Sequence, residues 1–140
     1  IDGRVVGLCH GCFDILHAGH VFHLREASAQ VDTLVVSVTS ARYVDKGPNR
    51  PVFDDDSRMA VIAAFEMVDH VVMSGAPTAE SILEKLKPEL YFKGEDYREL
   101  SDTRLAAELQ VLEASGGRLV TTSGAVFDSS TRVARLAGLA

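Results

Sequence analysis

The chain has only two cysteines, Cys9 and Cys12, too few for a disulfide framework. No apolar run approaches the roughly 20 residues that span a bilayer. The first residues lack the basic and long apolar stretches of a secretory signal. These absences point to the cytoplasm and away from a membrane. Basic charge is also scarce: 14 Lys and Arg stand against 20 Asp and Glu, a formal net charge of −6. The basic residues are scattered, which argues against a general nucleic-acid surface. A small anionic substrate remains compatible, because a local basic cluster can hold one. The dinucleotide fingerprint Gly-x-Gly-x-x-Gly and the Walker A P-loop are both missing. An initiator Met is missing too, as expected of a domain cut from a longer polypeptide.

What is present is an alternation of short apolar runs and amphipathic segments. At 140 residues, one domain over positions 1–140 is expected. Val5–Cys9, Thr33–Thr39, Val71–Met73, Leu90–Phe92 and Arg118–Thr122 read as strands. Helices are predicted over Gly19–Gln30, Asp54–Val68, Thr78–Leu86, Arg104–Ala114 and Ser130–Leu139, with Thr78 as an N-cap. Asp45–Pro51 is turn-rich. The β-α alternation predicts an α/β fold, a Rossmann-like three-layer sandwich with a five-stranded parallel sheet. Ligands in such sheets bind beyond the carboxyl ends of the strands, at the switch point.

Four segments just past strands carry plausible chemistry. In Cys9–His20, two histidines spaced i, i+3 fall at a helix start, on one face. Backbone N–H groups and the positive end of the helix dipole lie there, a setting that suits a polyphosphate. The others are Lys46–Arg50, Lys93–Tyr97 and Asp128–Arg132. Together they offer cations for phosphate, glycines for close backbone approach, hydroxyls at a helix N-terminus, and carboxylates for ribose or Mg²⁺. Other readings of the same residues remain open. Cys9-His10-Gly11-Cys12 reads as a redox C-x-x-C, and Cys9, Cys12, His17 and His20 read as four zinc ligands. His23 and His70 read as structural, and Asp54–Asp56 as a charge cluster at a helix start.

His17-Ala18-Gly19-His20 resembles the H-x-G-H signature of the cytidylyltransferase-like nucleotidyltransferases, and Ser129-Ser130-Thr131 resembles that superfamily's second, Ser/Thr signature. Lys46–Pro51 and Tyr91–Tyr97 are similar to segments of heptose-phosphate adenylyltransferase domains and glycerol-3-phosphate cytidylyltransferases. The resemblance covers nearly the whole chain. It extends to the N-terminal cytidylyltransferase domain of the bifunctional fosfomycin-pathway enzyme, which is fused to a phosphoenolpyruvate phosphomutase domain.

The resemblance implies direct displacement at the α-phosphorus of a nucleoside triphosphate, with catalysis by positioning and charge stabilisation. It implies that His17 and His20 hydrogen-bond the α-phosphate and bridging oxygen, and that Lys46 reaches the phosphates. It places Gly11, Cys12, Phe13, Gly19, Lys93, Gly94, Asp96, Ser129, Ser130 and Thr131 around the nucleotide, with Asp96 near the ribose. Ser130 and Thr131 would cradle the β- and γ-phosphates. Arg58 is expected to bind triphosphate or acceptor, and His10 to touch the acceptor. Mg²⁺ would neutralise the triphosphate, and no residue is assigned as a metal ligand. The expected reaction is CMP transfer from CTP to a small phosphonate or phosphate alcohol, with 2-hydroxyethylphosphonate favoured. Heptose 1-phosphate adenylyltransferase with ATP is the alternative, alongside glycerol-3-phosphate cytidylyltransferase. A nucleotide-binding module without catalysis is the competitor from another class. A homodimer and a fused C-terminal catalytic domain are expected as partners.

Overall fold

A computed structural model describes residues 4–44, 47–94 and 103–122. Five strands alternate with four helices: β1 (Val6–Gly11), α1 (Ala18–Ser28), β2 (Thr33–Thr39), α2 (Asp55–Ala63), β3 (His70–Ser74), α3 (Glu80–Leu86), β4 (Leu90–Gly94), α4 (Thr103–Ala114) and β5 (Arg118–Thr122). All strand pairs are parallel, in the order β3-β2-β1-β4-β5. The expected α/β, Rossmann-like sheet is therefore present. β2 is buried along its whole length, as a strand covered on both faces must be.

Strand alternation sorts the side chains into two cores. Cys9, Leu34, Val36, Val38 and Phe92 pack with Leu24 and Ala27 of α1 and Ile62 of α2. Val6, Leu8, Val35 and Tyr91 pack on the other face with Ala79 and Leu83 beside α3 and Leu112 of α4. Complete burial of a Leu, Val or Phe side chain stabilises by about 1.5–3 kcal/mol, so these two layers fix the sheet between the helices. Among the described residues, no helix is long and apolar enough to cross a membrane.

Two elements differ from the sequence reading. α2 stops at Ala63, short of the expected Val68. The next residues turn so that Asp69 can receive Leu34 N–H on its carboxylate and give its own N–H to Leu34 O. The N-cap of α3 is Ala79 rather than Thr78. Thr78 bonds only to the neighbouring Glu80, while Ala79 N–H is taken by Glu108 of α4, 2.8 Å away. The closing helix predicted over Ser130–Leu139 lies outside the described residues.

Candidate active site

From β1 the chain crosses to β2 and β3 on one side, then returns to β4 on the other. The carboxyl ends of β1 and β4 thus flank the switch point, where parallel sheets bind ligands. β1 ends at Gly11 and its loop runs directly into α1.

His17 is the N-cap of α1, and its side chain forms a reciprocal capping box with His20. Gly19 N–H donates to His17 Nδ1 at 3.1 Å. His17 N–H donates to His20 Nδ1 at 3.3 Å. Capping boxes usually pair Ser or Thr with Glu or Gln; here two imidazoles do the work. Each Nδ1 accepts a backbone N–H, so the proton of each neutral ring belongs on Nε2. The helix start thereby fixes the tautomer of both rings and leaves each with one N–H donor. Their centroids lie 4.2 Å apart.

The glycine between the histidines has a steric cause. A Cβ on Gly19 would lie 2.8 Å from His17 Cε1 and 3.0 Å from Nδ1. The imidazole folds over the helix start only because that Cβ is absent. Phe13 supports the second ring: it is 7 % exposed, and its ring meets His20 edge-on at 5.9 Å. Phe13 has φ +48°, a strained conformation for a bulky residue, of the kind that collects at functional sites. A Cβ on Gly11 would come within 3.1 Å of the Phe13 ring.

Asp14 joins this loop to the next one. Its carboxylate accepts Arg50 Nε–H (2.8 Å), Val52 N–H (2.7 Å) and Phe53 N–H (3.0 Å). Both ion-pair side chains are essentially fully buried. Burial acts to raise the Asp14 carboxyl, but the Phe53 and Val52 amides and the Arg50 guanidinium outweigh it and hold the group below its ordinary range. The turn-rich segment is thus anchored by its arginine to the loop after β1.

Arg58 is held within the fold. It is 1 % exposed on α2. Its Nε donates to Phe53 O (3.0 Å), and its Nη1 to Cys12 O (2.9 Å) and Thr39 O (2.6 Å). Nη2 pairs with Asp55 Oδ1. These bonds hold together the carboxyl ends of β1 and β2 and the start of α2. Arg58 thus braces the strand ends beneath the site. Asp54 caps α2 by accepting Ser57 N–H at 2.8 Å. Asp55 also receives Ser40 and Ala41. The acidic run therefore serves the helix start.

His10 is also tied into the sheet. It projects from β1 on the α3/α4 face, with Nδ1 2.6 Å from Ser37 Oγ and Nε2 3.4 Å from Thr39 Oγ1. Thr39 donates onward to Gly11 O at 3.3 Å. Both ring nitrogens are turned to β2, so the ring holds two strand ends together. Burial and, secondarily, the charge of Lys93 push its pKa down to about 4, so the ring is neutral at physiological pH.

Lys93, near the end of β4, is 8 % exposed. Its ammonium lies 3.9 Å from Glu108 Oε1 and 5.0 Å from the Tyr91 ring centroid. Gly94 closes the strand at the switch point.

Cys9 sits fully buried in the α1/α2 core. Burial pushes its thiol far above the ordinary range. A buried protonated thiol is a poor redox or metal-binding group, which removes the first member of the C-x-x-C and four-ligand readings. His23 Nδ1 lies 2.7 Å from Thr122 Oγ1, linking α1 to β5. Lys46, Asp96, Ser129, Ser130 and Thr131 lie outside the described residues. Glu108 escapes sequence reasoning, and so does the pairing of Asp14 with Arg50. Both partners of that pair lie in segments with a local signal, Cys9–His20 and Lys46–Arg50. An open groove of about 740 Å³, lined by Met59, His70, Val71, Val72 and Ile82 among others, lies against α2, β3 and α3, and neither His17 nor His20 lines it.

A helix-start pair of imidazoles follows the central strand of a five-stranded parallel sheet, and together they define an α/β protein of Rossmann-like fold. The cytidylyltransferase-like family matches residues 8–135, and the chain belongs to that family of nucleotidyltransferase enzymes. Bifunctional protein HldE of Azotobacter vinelandii is 42% identical over 132 residues, covering 93% of this chain and 27% of that protein. HldE of Pseudomonas fluorescens is 44% identical over 124 residues, covering 87% and 25%. The chain thus spans about a quarter of the length of these relatives. The lipopolysaccharide core biosynthesis protein of Thermoplasma volcanium superposes with a TM-score of 0.74 at 26% identity, over 90% of this chain and 100% of that one. Pantoate-β-alanine ligase of Francisella tularensis shares the fold alone, with a TM-score of 0.59 at 13% identity over 87% and 60% of the two chains. These relatives correct the expected likeness to the fosfomycin-pathway domain. The physical reason is simple: phosphate and phosphonate present similar oxygens, so the shared motifs fit either.

Proposed function

We propose that this domain transfers the AMP moiety of ATP to the phosphate of a sugar phosphate, heptose 1-phosphate, and releases pyrophosphate. The observation that carries the reading is the capping box of His17 and His20, which fixes an Nε2–H donor on each ring at the N-terminus of α1. ATP and a sugar phosphate are favoured by the similarity of Lys46–Pro51 and Tyr91–Tyr97 to heptose-phosphate adenylyltransferase segments. The relatives named HldE and the neighbour from lipopolysaccharide core biosynthesis agree with that choice.

In this reaction an oxygen of the acceptor phosphate attacks the α-phosphorus in line. The new P–O bond forms as the bond to the α–β bridging oxygen breaks, and pyrophosphate carries away the electron pair. His17 and His20 donate to the α-phosphate and to the bridging oxygen as charge grows there. Phe13 and Gly19 hold the rings in place. Lys46, Lys93, Gly94 and Asp96 bind the nucleotide in this reading, and Ser129, Ser130 and Thr131 cradle its outer phosphates. Mg²⁺ enters as part of the nucleotide substrate. The described carboxylates nearest the histidine loop, Asp14 and Asp55, are committed to Arg50 and Arg58, so they offer the ion no cage. The domain works in the cytoplasm as one part of a bifunctional protein.

The test is pyrophosphate release from ATP and CTP against heptose 1-phosphate, glycerol 3-phosphate and 2-hydroxyethylphosphonate. Turnover with ATP and heptose 1-phosphate is expected. Turnover confined to CTP and the phosphonate contradicts the acceptor and base. Triphosphate binding with no release across the matrix makes the domain a binding module.

A further inference from the structure

We infer that His23 is a positioning residue. It ties the carboxyl end of β5 to the helix that carries His20, and so sets the two halves of the triphosphate site against each other. The inference rests on the function proposed above, in which His17 and His20 serve the α-phosphate and Ser129, Ser130 and Thr131 the outer phosphates. His23 lies on α1, one turn beyond His20. Its Nδ1 is 2.7 Å from the Oγ1 of Thr122, the last residue of β5. From Thr122 the chain continues toward Ser129.

The place of this bond in the fold gives it its meaning. β5 is an edge strand, and among the described strands it pairs with β4 alone. Thr122 stands opposite Gly94, at the carboxyl end of both strands. Ligands of parallel sheets bind beyond that end, and the ladder holds β5 there from one side only. α1 packs across β1, β2 and β5, and the bond from His23 fixes β5 from the helix side. Thr122 is 1 % exposed. A valine has a similar shape and favours strands as well, so packing alone does not call for a hydroxyl at this position. What the hydroxyl adds is a bond with direction, whereas apolar burial is non-directional. The strand end is thereby held in register with the helix that presents the histidine pair.

The experiment uses the intact chain. Calorimetry measures binding of ATP and of AMP, which lacks the outer phosphates, and pyrophosphate release gives nucleotide KM and kcat. The variants are His23→Ala, Thr122→Val, their double, and His23→Asn. His23→Ala is expected to weaken ATP binding about three- to tenfold, the scale of one hydrogen bond, and to leave AMP binding unchanged. Nucleotide KM rises by the same factor while kcat stays nearly constant. Thr122→Val gives a comparable loss, and the double variant binds ATP no more weakly than either single variant. His23→Asn restores affinity, because its side-chain amide reaches the place of Nδ1 and can donate or accept.

Wild-type ATP affinity in His23→Ala overturns the inference, as does a His23→Asn variant as weak as His23→Ala. An equal loss for ATP and AMP, the mark of a helix displaced as a whole, also overturns it, and so do losses that add in the double. Should His23→Ala fail to fold, Thr122→Ser, which keeps the hydroxyl, is compared with Thr122→Val, and equal ATP affinity in those two overturns it as well. Wild-type chain that binds ATP no more tightly than AMP, or binds neither, overturns the triphosphate reading of the proposed function itself. Wild-type chain that strongly prefers ATP, with an indifferent His23, overturns only the role of that residue.

Discussion

His10 and His20 come from the same strand and loop, yet the fold gives them opposite chemistry. His20, with His17, has Nδ1 on a backbone N–H at the start of α1, so its remaining N–H is fixed at Nε2. His10 has both nitrogens against hydroxyls of β2. It is neutral, half-buried and committed to the sheet. Proximity in sequence therefore says little about shared function. What decides is which ring nitrogen the backbone has already taken, and on which face of the strand the ring emerges. The two arginines sharpen the same lesson. Arg50 and Arg58 look like phosphate-binding cations in sequence, but one is spent on Asp14 and the other on carbonyls and Asp55.

The largest effect separates bracing from catalysis. Arg58→Ala leaves Asp55 and several carbonyls without their donor, and the loss of stability is about 3–5 kcal/mol, the scale of breaking a buried pair. Urea unfolding reads it as a lower midpoint. A variant as stable as wild type would return Arg58 to the ligand side of the comparison.

His20→Ala lies on that catalytic side. It lowers kcat by about 10²–10³, the scale of one transition-state donor, with the fold retained by circular dichroism. His10→Asn leaves kcat within about threefold, since the ring does not touch substrate in this account. Equal losses at the two positions would erase the distinction.

Gly19→Val tests how the ring is placed. The added side chain drives the His17 imidazole off the helix start and costs about 1–3 kcal/mol of stability, as overpacking does. Activity falls further than stability explains, which comparison of kcat with Tm reveals.

The smallest effect is a slope. The His10 pKa is about 4 when folded against 6.5 for the ordinary group. Between those values the unfolded chain binds more protons, so stability is full above pH 6.5 and falls as pH drops toward 4. The slope is at most about 1.4 kcal/mol per pH unit. His10→Asn removes it. Asp14 acts in the same sense at lower pH: its depressed carboxyl contributes stability above the ordinary carboxylate pKa of 3.8, which is lost as pH falls below it.

The order of strands and helices is legible because each buried strand is a short β-branched run and each helix carries a period of its own. His17, Gly19 and His20 are legible for a related reason: their geometry is local, set within the first turn of one helix. The pairings that tie the site together are not local. Asp14 finds Arg50, and Glu108 finds Lys93 and Ala79, only after the crossovers have stacked the loops. The sequence holds no spacing rule for such contacts. The bracing contacts of Arg58 are hidden for a similar reason: a lone arginine near a helix start is usually exposed, whereas here α2 buries it against the ends of β1 and β2.

The central claim is that the helix start sets His17 and His20 as Nε2–H donors for a triphosphate, and that His10 stands apart. Nitrogen-15 NMR of the histidine rings, with and without a non-hydrolysable ATP analogue, tests it directly. The account predicts Nε2–H tautomers for His17 and His20, with both Nε2 signals moving on nucleotide binding while His10 stays neutral and still. Nδ1–H tautomers at the pair, or a response confined to His10, would contradict it.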